Sequence, residues 1–250
     1  MKLKFTWDRI APWLVVLLCA LTLKLYYSAA SANQLQWILA PTTAVVELVS
    51  GTSFEFESHA GYMSSDRSFL IAPSCAGVNF LITAFLMLSA GKLYRDRSKA
   101  TAWGFIPAAA LISYLVTLAA NTVRIAIALR LGRQPYTFGL DAEQFHRAEG
   151  IFVYFGFLLL LFAASERMGA RRLPGLLRQP LFPLLVYYAT MIGIPLANGG
   201  YRQGAGFWRH SVFVLLIPLL LILPLAVFRW LMSAGDRFRN REFVRSTGEE

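Results

Sequence analysis

The chain has 250 residues, of which 56% are hydrophobic and 15% charged, with a formal charge of +10. Apolar runs near the ~20 residues needed to cross a bilayer occupy most of its length. That excludes a soluble domain of useful size and predicts an all-α polytopic protein forming one membrane domain over residues 1–250. The basic residues lie in short loops between apolar runs, so the charge points to membrane orientation, not to nucleic acid. Cys19 and Cys75 give no disulfide framework, and three histidines without an HExxH pattern give no zinc signature. No cofactor or metal is expected.

A basic lead enters the apolar run 10–27, read as a first transmembrane helix with Trp7, Tyr26 and Tyr27 near its interfaces. Ala30-Ser31-Ala32 is also an A-x-A cleavage pattern, but the run is long for a signal core and a retained helix is favoured. Residues 35–49 hold Pro41, two threonines and Glu47, too polar and short for a span, so an interfacial or re-entrant helix is expected on the outer face. Phe54-Glu55-Phe56-Glu57 alternates at period two and predicts a small extended or hairpin element over the membrane. Segment 35–68 is either a lid for substrate or a structural cap.

A second span covers about 71–90 and ends at Gly91 and a basic loop, and a third runs over about 103–126. Asp141-Ala142-Glu143-Gln144 reads as an N-cap and capping box opening a fourth span that continues to 164. Spans over about 182–197 and 212–230 follow, making about six, with a basic tail after them. On this division a core carrying the polar motifs extends over about 35–165, and two further spans complete the domain. Of the 24 Lys and Arg residues, 16 fall on the side that holds both termini, which makes that side cytoplasmic.

Three polar groups then share one depth. Cys75 lies 17 residues from Lys92, Arg124 lies 21 from Trp103, and His146 lies 20 from Glu166. At ~1.5 Å per residue these separations are ~26, ~32 and ~30 Å from the inner edge. A thiol, a guanidinium and an imidazole are thereby expected near the outer face, where ionisable groups are costly and face partners. The set suits acyl transfer: a thiolate attacks a carbonyl, an imidazole moves the proton, and a guanidinium donates to the oxyanion. Cys75 also sits at the first turn of its run, where unpaired N–H groups and the dipole favour thiolate.

Each residue has an alternative. Cys75 could be inert packing, and Arg124 could snorkel to headgroups. His146 could pair with Glu149 one turn away, or the two could form a weak metal pair. Asn121, at i−3 from Arg124, supports the site by orienting that side chain or simply joins two helices. A small transporter or assembly factor with no catalytic thiol is the rival class. No intramembrane carboxylate is expected within the spans to serve it. Cys19 lies too far in depth to act as a redox partner for Cys75.

Pro73-Ser74-Cys75-Ala76-Gly77, Asn121-Thr122-Val123-Arg124 and Phe145-His146-Arg147-Ala148-Glu149-Gly150 resemble the three motifs of the exosortase/archaeosortase family in order, spacing and membrane position. The stretches 37–43 and 72–80 look most like the exosortase K branch. The resemblance covers about 37–160, and Ala76 departs from the serine that many members carry there. It implies a multi-pass cysteine protease or transpeptidase of the bacterial cytoplasmic membrane. Its partners would be exported proteins with a carboxy-terminal signal of short motif, transmembrane helix and basic tail, and an amine acceptor on a glycan or lipid. On that resemblance Cys75 is the nucleophile, Arg124 stabilises the oxyanion or positions substrate, and His146 is the acid/base.

Overall fold

The computed structural model of the chain describes residues 7–95, 99–131, 142–168, 173 and 180–224. Among these, five helices are long and apolar enough to cross a membrane. They are α1 (Trp7–Ala29), α3 (Val78–Arg95, extended by the turn that starts at Pro73), α4 (Lys99–Leu131), α5 (Ala142–Met168) and α8 (Ala205–Pro224). The protein is an all-α, multi-pass membrane protein. Their outward faces carry exposed leucines, Leu17, Leu18 and Leu21 on α1 and Leu216, Leu220 and Leu223 on α8. Such a surface suits hydrocarbon, not water.

The span expected at 182–197 takes another form. α6 (Leu181–Tyr188) widens through a π-helical turn (Ala189–Gly193) into α7 (Ile194–Ala197), giving one shorter apolar helix. At ~1.5 Å per residue it covers ~25 Å, less than the ~30 Å hydrocarbon thickness. The Thr190 hydroxyl, inside the π turn, donates back to the Val186 and Tyr187 carbonyls and lies 2.9 Å from Thr83 Oγ1 on α3. A side chain competing for the i−4 carbonyl is a local reason for the helix to widen there. The last helix starts earlier than expected, at Ala205; the remainder of that expected span and the basic tail lie outside the described residues, as does Asp141 of the expected capping box.

α3 is the central element, with 72% of its most apolar window buried against 17% for α1 and 22% for α4. Apolar residues all round it, Val78, Phe80, Ile82, Phe85 and Met87, explain that position. One side joins Phe155 and Leu158 of α5, Tyr187 of α6 and Val214 of α8. The other joins Ala20 of α1, Ile38 and Leu39 of α2 (Gln36–Ser50), Ile71 and Ile125 of α4. α2 is not a span: it buries Ile38, Leu39, Thr42, Thr43 and Val46. Against α4 its Trp37 stacks on Tyr114, and the Tyr114 hydroxyl donates to the Trp37 carbonyl at 2.8 Å.

The alternating segment forms the expected hairpin and a third strand besides. β1 (Phe54–Glu57) pairs antiparallel with β2 (Gly61–Ser64), and β2 with β3 (Leu70–Ile71), with Phe54 opposite Ser64 and Tyr62 opposite Ile71. The short β3 runs straight into the cysteine turn. Gly61 is required by that pairing: its φ is +128°, and a Cβ there would lie 2.3 Å from the Ile71 carbonyl oxygen. At the opposite ends of α3 and α5, Arg95 and Glu166 form a close ion pair with side chains only 9% and 11% exposed. Twenty positions separate Cys75 from Arg95, and twenty separate His146 from Glu166. Clamping one end therefore aligns the other ~30 Å away.

Candidate active site

Cys75 closes a 3-10 turn (Pro73–Cys75) rather than standing within the helix. Its N–H bonds the Ala72 carbonyl at 2.8 Å, and Ala76 N–H bonds Pro73 at 3.1 Å. Gly77 then turns the chain into α3 with a φ of +73°. Only glycine takes that conformation cheaply, and a Cβ there would also press on Thr117, the Tyr154 hydroxyl and Asn121 at 3.2–3.4 Å. The cysteine is free and half-buried, three residues ahead of Val78, where the helix proper begins, close to where the sequence puts it.

From that turn a continuous polar chain crosses three elements. Asn121, fully buried on α4, donates through Nδ2 to the Cys75 carbonyl at 2.5 Å. Its Oδ1 accepts from the Tyr154 hydroxyl of α5 at 2.8 Å. The same hydroxyl accepts from Arg124 Nη1 at 3.3 Å, and the guanidinium lies over the Tyr154 ring at 5.5 Å. Arg124 Nη2 lies 2.8 Å from His146 Nε2. His146 Nδ1 faces Glu149 Oε2 at 3.6 Å.

Arg124 is thus turned inward to these partners instead of snorkelling. The hydrogen bonds of Asn121 go to Cys75 and Tyr154. They tie the cysteine turn to α4 and reach the arginine through Tyr154. Both ring nitrogens of His146 face Arg124 and Glu149, so the histidine is joined to Cys75 through the chain of contacts and not by its own hydrogen bond to the thiol. Glu149 corrects the expectation of spans without carboxylates: it lies within the α5 span, its side chain is 7% exposed, and neither carboxyl oxygen has a hydrogen-bond partner. Among the described residues no group of three or more His, Cys, Asp and Glu could hold a metal ion.

Two features escaped the sequence. Tyr154 is half-buried in an apolar run, and its ring stacks on Phe80 with centroids 5.0 Å apart. Only its position two turns beyond His146 on α5 marked it. Gly150 is the second: a Cβ there would lie 2.8 Å from Arg124 Nε, so the glycine admits the guanidinium against α5. Arg124 Nε itself is a buried donor without a partner.

Beside this chain opens a cavity of about 190 Å³ lined by Tyr27, Ser74, Arg124, Arg147, Tyr187 and His210 among others. Ser74, not Cys75, is the turn residue on its wall. α1 closes one side: the Tyr27 hydroxyl lies 3.5 Å from the Pro73 carbonyl, and Lys24 donates to Asn79 at 2.8 Å.

The family model described as transmembrane exosortase (Exosortase_EpsH) matches residues 4–163. The chain belongs to the transmembrane exosortase family. The match takes in α1 to α4, α5 as far as residue 163, and every member of the polar chain, whereas Tyr187 and His210 on the far wall of the cavity lie outside it. No curated protein and no solved structure matched the chain. Membership in this exosortase family supports a role in sorting proteins at a membrane.

Proposed function

We propose that this exosortase is a cysteine peptidase or transpeptidase that processes carboxy-terminal sorting signals through a thioester on Cys75. His146 is the acid/base, Arg124 the donor to the oxyanion, and Asn121 the support that holds the cysteine turn. The observation that carries this reading is the hydrogen-bonded chain from the Cys75 carbonyl through Asn121, Tyr154 and Arg124 to His146. A cysteine in inert packing needs no such neighbours.

The thiol proton passes to the imidazole, and sulfur attacks the scissile carbonyl carbon. Collapse breaks the C–N bond, and the leaving amine takes the proton from His146. Water or an amine acceptor on a glycan or lipid then releases the acyl group. Holding substrate and enzyme in one bilayer plane supplies much of the proximity effect. The substrate carries a short motif, a transmembrane helix and a basic tail. Both termini lie in the cytoplasm of a bacterium, the site faces outward across the cytoplasmic membrane, and residues 1–250 act as a single domain. The stretches 37–43 and 72–80 look most like the exosortase K branch, and that likeness supports assigning the chain to it.

The test is replacement of the thiol. Cys75→Ala and Cys75→Ser insert normally but leave a co-produced exported protein with its terminal helix uncleaved. Normal processing in either variant removes the thiol from the chemistry and favours a carrier or assembly role.

A further inference from the structure

We infer that Glu149 is the positioning residue of His146, completing a thiol–imidazole–carboxylate relay. The inference rests on the cysteine-peptidase reading above. It starts from an oddity: Glu149 has both carboxyl oxygens buried and without a hydrogen-bond partner. A buried carboxylate left unpaired costs several kcal/mol, so a partner close at hand is expected. The donor that faces it is His146 Nδ1, 3.6 Å from Oε2 and one turn earlier on α5.

The tautomer follows from the donors. A guanidinium has no acceptor, so His146 Nε2, 2.8 Å from Arg124 Nη2, must be the unprotonated nitrogen. The ring proton is then on Nδ1, directed at Glu149. Shortening this contact by about 0.7 Å closes an ordinary hydrogen bond, and contacts in a catalytic relay are commonly looser before substrate binds. Glu149 thereby fixes Nε2 as the nitrogen that takes the thiol proton and steadies the imidazolium that forms.

The same geometry gives the resting site a mask. Nε2 has one lone pair, and Arg124 occupies it. The proton of Cys75 can move to Nε2 only when Arg124 lets go. A substrate carbonyl oxygen that draws Arg124 away provides that release, so base and oxyanion donor are freed for their tasks together.

The experiment is the pH dependence of Cys75 alkylation by a membrane-impermeant maleimide on the full chain in a Cys19→Ala background. Wild type is compared with Glu149→Gln, which keeps the shape, and Glu149→Asp, which keeps the charge. Among the described residues, the titratable His146 on α5 and the charged Arg124 on α4 act on Glu149, and His146→Ala identifies the inflection that belongs to the imidazole. Glu149→Gln is expected to move that inflection down by about one pH unit, the effect of removing a facing charge. Glu149→Asp is expected to recover most of it. An inflection unmoved in Glu149→Gln, with the His146→Ala effect intact, overturns the role of Glu149 alone. An ordinary thiol profile in every form overturns both this role and the peptidase reading.

Discussion

Gly150→Ala separates the site from the stability of the fold. The added Cβ would sit 2.8 Å from Arg124 Nε, with Cδ and Cζ at 3.5 Å, and no backbone atom is among its three nearest neighbours. Ordinary contact requires the guanidinium to retreat from α5 by about 0.6 Å. His146 lies on the same helix, so the 2.8 Å contact with Arg124 stretches toward about 3.4 Å, beyond a good N–H···N geometry. Loosening that contact alone would unmask Nε2, so the loss comes from Arg124 being misplaced as the oxyanion donor; displacements of this size at a group that stabilises the transition state lower rates on the order of 10–100-fold. Alanine in place of an interior helical glycine stabilises α5 by about 0.5–1 kcal/mol. Gly156 on the same helix has nothing within 4 Å of its Cβ position, so Gly156→Ala carries the helix effect alone. The assay pairs detergent thermal unfolding with cleavage of a reporter fused to a carboxy-terminal signal from the same genome. Both variants should be at least as stable as wild type, and only Gly150→Ala should lose cleavage. Equal cleavage by the two would refute the argument that Arg124 must rest against α5.

Three further perturbations probe the scaffold around that contact. Tyr154→Phe keeps the stack on Phe80 but strips the hydroxyl from Asn121 and Arg124; thermal unfolding should show a loss of about 1–3 kcal/mol, and the reporter about tenfold slower cleavage. Arg95→Ala leaves Glu166 buried and unpaired, costing about 3–5 kcal/mol, and adding Glu166→Gln should recover most of it in a double-mutant cycle. Gly61→Ala drives a Cβ into the Ile71 carbonyl, so it should displace β3 and the cysteine turn it feeds, lowering cleavage while membrane insertion measured by fractionation stays normal.

Much of this arrangement was legible because membrane depth is a one-dimensional quantity. Helix rise converts residue counts into height, so Cys75, Arg124 and His146 could be levelled before any packing was known. The Arg95–Glu166 clamp is the physical reason the level holds on α3 and α5. Azimuth is another matter. Tyr154 in an apolar run looks like any core aromatic until Phe80 and Asn121 are seen beside it. Gly150 likewise declares its purpose only when Arg124 arrives from another helix. The short 181–197 helix escaped because its apolar run has the composition of a span, while its π turn depends on where Thr190 bonds. Glu149 stands one turn from His146 in the sequence, but that it lacks any hydrogen-bond partner follows from three-dimensional burial alone.

The central claim is that Cys75 carries the acyl group, and the direct measurement is the intact mass of the enzyme quenched in acid during turnover of the reporter. The account predicts a hydroxylamine-labile adduct with the mass of the reporter's processed chain, mapped to Cys75 and absent from Cys75→Ala. Cleavage of the reporter with no adduct on Cys75, or with the same rate in Cys75→Ala, would contradict it.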